Sequence, residues 1–80
     1  MTETSQQLVA TVSKEDKLNL VEARIRDIKI DKFSAELSIL EQNALEEPEE
    51  SVIASANKII TRAIAQITAL EAQYNSIQAE

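Results

Sequence analysis

SVIASANKIITRAIAQITALEAQYNSI, residues 51–77, is the stretch that decides the fold. Ile53, Ala56, Ile60, Ala63, Ile67, Leu70, Tyr74 and Ile77 recur at alternating steps of three and four. That spacing keeps one stripe of a helix turned toward a partner helix. Val52, Ile59 and Ile64 stand beside the stripe and make it broader than a minimal two-stranded coiled-coil seam. The breadth predicts more than one partner helix.

Immediately upstream lies the single proline, Pro48. Proline disfavours the helical conformation in the residue before it, and it suits the first turn of a helix, where its missing amide would be unpaired anyway. The second helix is therefore expected over residues 48–78, with Glu49 and Glu50 at its positive end. The turn is expected at 46–47, and a connection this short makes the flanking helices antiparallel neighbours.

The first helix is expected over residues 14–45. Ser13 precedes it with Asp16 three residues on, a serine oxygen placed to accept a free amide while Glu15 and Asp16 meet the helix dipole. Its stripe begins Leu18, Val21, Ile25 and resumes at Phe33, Leu37, Leu40 and Ala44. Bridging the gap through Lys29 takes two successive steps of four, a stutter that turns the apolar face around the helix. A break at Asp31–Ser34 is the competing reading. One continuous helix is preferred, because no glycine or proline interrupts the stretch. With the turn centred near Glu46, Leu40 falls opposite Ile53, Phe33 opposite Ile60 with Ala56 and Ala63 either side, and Leu18 opposite Tyr74. Residues 1–13 read as a tail in which Thr4 and Gln7 can cap a short turn carrying Leu8, Val9 and Val12.

Composition bounds the rest. Eighty residues make one domain at most, near the size where a single core barely suffices. With no cysteine and no histidine there is no disulfide framework and no zinc or haem site of the usual kind. The absence of glycine removes the residue on which phosphate-binding loops and tight hairpins depend. An all-α antiparallel hairpin follows, and at 44% apolar residues it is a folded rather than a disordered chain. No run of about 18 apolar residues exists to span a membrane. Met1–Gln7 lacks the basic-then-apolar order of a secretory signal, which makes a cytoplasmic location the expectation.

Two features offer candidate interaction residues. All eight basic residues lie within Lys14–Lys32 and at Lys58 and Arg62, whereas Phe33–Glu50 carries six glutamates and no cation. The tip residues Glu46, Glu47, Glu49 and Glu50 could receive a basic partner or divalent cations. The simpler reading is a solvated turn whose acids favour the helix dipole. The back of the second helix carries Ala65, Ala69 and Ala72 with little charge, a face that another backbone could approach closely, although alanine is also the best helix former on any surface.

Catalysis and nucleic-acid binding find no support. The remaining acids and bases stand in no spacing with a defined role, and Tyr74 falls on the seam as a core residue. The cations of the first helix are interleaved with carboxylates, and the net charge is −6. No cofactor is expected. The leading expectation is a non-enzymatic structural or interaction protein, a homo-oligomer of helical hairpins, most simply a dimeric four-helix bundle with the alanine face as a close secondary contact. The alternative is a small acidic regulatory binder, a chaperone, adaptor or inhibitor acting through its tip. In composition the chain is similar to small accessory and assembly proteins encoded by bacteriophages, a likeness that implies a role in binding other proteins.

Overall fold

The computed structural model describes residues 12–80; the short turn expected around Leu8 and Val9 lies outside them. Two long helices, α1 (Lys14–Asn43) and α2 (Glu50–Gln78), pack side by side in antiparallel order as an all-α hairpin. Among the described residues there is no strand. Ser13 caps α1 as its sequence predicts, its Oγ accepting the Asp16 amide at 3.0 Å, and α1 runs unbroken through Asp31–Ser34.

The stripe read from residues 51–77 is the packed face of α2. Ala56, Ala63 and Ile77 are buried, and Ile53, Ile60, Ile67, Leu70 and Tyr74 are half-buried. Of the three flanking residues only Val52 joins them; Ile59 and Ile64 are exposed. α2 begins at Glu50, two residues later than its proline suggests, with Glu49 as a cap that makes no side-chain hydrogen bond. The Gln42 Oε1 takes up the Glu49 amide instead, at 2.8 Å, and so fastens the end of α1 to the start of α2.

On α1 the stutter does not occur. Leu18, Val21, Ile25 and Ile28 pack as a regular series, and the same alternation continues through Lys32, Ala35, Ile39 and Gln42. Phe33, Leu37 and Leu40, expected in the seam, lie outside it at 60%, 41% and 67% exposure, and Ala44 is exposed as well. The pairings of Leu40 with Ile53 and of Phe33 with Ile60 therefore fail. At the open end Leu18 and Tyr74 are both half-buried, and the Tyr74 hydroxyl reaches Glu22, one turn along α1 from Leu18.

The physical reason is that α1 carries two heptad-spaced series, and the bulkier residues belong to the wrong one. α1 fills the middle of its packed series with Lys32 and Ala35 rather than an aromatic ring; Ala35 lines one cleft with Ala56, and Gln42 stands at the tip against Glu49. Lys32 lays its alkyl stem along the groove and directs its ammonium to Glu36 at 3.5 Å. The resulting core is thin. Val21, Ala35, Ala56, Ala63 and Ile77 are its buried members, and no large side chain is fully enclosed.

Candidate functional site

The tip glutamates all sit at the surface. Glu49 and Glu50 occupy the amino end of α2, where the Glu49 carbonyl accepts the Val52 and Ile53 amides at 3.0 and 3.2 Å, and their charge meets the positive pole of that helix. Glu46 and Glu47 lie in the connecting turn. Among the described residues no group of three or more carboxylates converges so as to hold a metal ion. That leaves the tip as a patch of diffuse negative charge.

Ala65, Ala69 and Ala72 are exposed on the face of α2 turned away from α1. Thr68, among them, returns its hydroxyl to the Ile64 carbonyl at 2.9 Å, which removes one polar group from that surface.

A run of exposed apolar residues lies on α1. Ile30, Phe33, Leu37 and Leu40 follow one another at steps of three, four and three along α1. At 3.6 residues per turn this series lies roughly 150° around the helix from the packed series. Every member is exposed. Toward the middle of the helix the stripe opens into a shallow groove of ≈ 490 Å³ bordered by Glu22, Ile25, Arg26, Lys29, Ile30 and Phe33. Its floor is apolar and its cations are Arg26 and Lys29. The spacing itself was the available signal, since 30-33-37-40 is as regular as the true seam.

At the open end, the Tyr74 hydroxyl donates to Glu22 Oε1 at 2.7 Å. This bond holds the tyrosine pKa above its ordinary value, chiefly because ionisation would forfeit the bond, and further because of burial and the nearby carboxylate charge. A tyrosine shifted in that direction is moved away from acid–base work near neutrality. Lys14 Nζ donates to the Gln78 and Glu80 carbonyls at 2.9 and 3.1 Å, and Lys17 pairs with Glu80 at 3.3 Å. A first-turn lysine of one helix thus satisfies the last carbonyls of the other, which has no basic residue in its own last turn.

The fold and these surfaces define an all-α helical hairpin with apolar and charged faces left outside its own core. Comparison with protein-family models, with curated proteins and with solved structures finds no match for the chain. No described helix is long and apolar enough to cross a membrane.

Proposed function

We propose that the protein is a non-enzymatic structural or interaction protein that works by self-association of its helical hairpin. The observation that carries this reading is the contiguous exposed series Ile30, Phe33, Leu37 and Leu40. Single exposed apolar residues are ordinary, whereas a continuous series marks a surface meant to be covered. The thin core points the same way, because chains of this size often need association to be stable. Size-exclusion chromatography with light scattering, at micromolar concentration, is expected to report a dimer or higher closed oligomer. A well-folded monomer throughout would refute the reading.

The alanine face offers smooth surface but little apolar area. Ala69→Glu is therefore expected to leave the solution mass unchanged, and a fall to the monomer mass would move the interface to that face.

A second reading, a small regulatory binder, is favoured by the tip, where Glu46, Glu47, Glu49 and Glu50 are all exposed and, among the described residues, none pairs with a cation. Replacing all four by glutamine is expected to leave helicity nearly unchanged, since exposed charges contribute little to stability. Capture of a basic partner by the native chain, lost in that variant, would support this reading. Capture that is indifferent to the four substitutions would dismiss it.

A further inference from the structure

We infer that the exposed stripe of α1 is covered by the α1 stripe of a second copy, laid antiparallel across a two-fold axis near residue 35. The inference rests on the self-association proposed above and adds the surface and its orientation.

Chain length narrows the choice of occupant. Leu8 and Val9 are the nearest large apolar residues beyond the described ones. Leu8 stands five residues before Ser13, a fully extended reach of about 18 Å. Phe33 lies 20 residues along the helix from Ser13, about 30 Å away, and Leu40 is about 40 Å away. These two residues of the same chain cannot cover the stripe.

Charge then favours a second copy and decides its direction. Up to Lys32, α1 carries Lys14, Lys17, Arg24, Arg26, Lys29 and Lys32 against five carboxylates; beyond it, the charges on α1 are Glu36 and Glu41 alone, followed by the tip glutamates. Parallel copies would set glutamate beside glutamate over the whole tip. Antiparallel copies lay the cationic half of each stripe against the acidic half of the other, so the surface is complementary to itself, as two-fold symmetry demands. With the axis near residue 35, Ile30 meets the other copy's Leu40, Phe33 its Leu37, and Lys29 its Glu41. The groove beside Ile25, Arg26 and Lys29 then receives the exposed Leu45 of the other copy. A two-fold axis makes each of these contacts twice.

Phe33→Glu, Lys29→Glu, Glu41→Lys and the double variant Lys29→Glu/Glu41→Lys would be compared by sedimentation equilibrium, with circular dichroism as the check on folding. All of these positions are exposed in the single hairpin, so helicity at high concentration should be retained. Phe33→Glu is expected to raise the dimer dissociation constant by at least ~30-fold, as the loss of a central aromatic anchor does. Each single charge reversal should raise it about 5-fold, and the double reversal should bring it back toward the native value. A native chain that stays monomeric overturns both this arrangement and the self-association beneath it. A native oligomer that Phe33→Glu leaves intact overturns the stripe alone. Single reversals that weaken the dimer without rescue in the double variant, or that do not weaken it, overturn the antiparallel pairing.

Discussion

Ala63 and Ala54 are the same residue on the same helix, yet one is buried and the other exposed. Leucine at position 63 would force bulk into a buried site of the seam and should cost ~1–3 kcal/mol, a large part of what so thin a core can supply. Leucine at position 54 should stay within about 0.5 kcal/mol of the native chain. Urea melts followed by circular dichroism would measure both, and equal effects would place Ala63 outside the seam. Tyr74 makes a different kind of contribution, because its bond to Glu22 exists only while the hydroxyl keeps its proton. With the folded pKa raised, that contribution is fully present below the ordinary tyrosine value of about 10 and is lost as pH rises through the folded value. The gap in melting temperature between the native chain and Tyr74→Phe should therefore be constant from neutrality up to that region and close above it. A gap that persists in strong alkali would show that the hydroxyl proton donated to Glu22 does not carry the difference.

At the scale of the helix, packing quality differs along the hairpin. The open half is built from Leu18, Val21, Ile25 and Ile28 with Ile67, Leu70, Tyr74 and Ile77, whereas the tip half relies on Lys32, Ala35, Ile39 and Gln42 against Ile53, Ala56, Ile60 and Ala63. Apolar burial scales with the size of the side chain removed from water. Amides in residues 18–28 and 67–77 should therefore exchange with deuterium more slowly than those in 35–42 and 52–60, measured at a dilution where copies do not associate. Uniform protection would mean that the alanine contacts are worth as much as the isoleucine ones. The same contrast explains what was legible in the sequence. α2 has one unbroken stripe, and every residue assigned to it is buried or half-buried. α1 has two, and where Lys32 and Gln42 stand in the true seam the bulkier Phe33, Leu37 and Leu40 draw the eye to the other. Hydrophobic size discriminates poorly at a contact whose opposite wall is alanine, because only small or flexible side chains fit there. The exposed stripe is illegible for the same reason, since the spacing of Phe33, Leu37 and Leu40 fits a core series and a surface series equally well.

For the whole molecule, the proposed self-association ties stability to concentration. Any association of folded chains draws the folding equilibrium with it by mass action. The melting temperature should rise with protein concentration across a range of about 100-fold. A constant value would show that each hairpin stands alone. The fastening of Lys14 and Lys17 to the last residues of α2 has a mechanical consequence. It places the beginning of α1 and the end of α2 at one pole, so a load applied through those ends peels the helices apart like a zipper instead of sliding them past each other. The load falls first on the exposed lysine clamp and then on the isoleucine-rich half, the better-packed part of the hairpin. Once they yield, the weaker half is left to bear a force it cannot sustain, and the hairpin should part in a single rupture rather than a staircase.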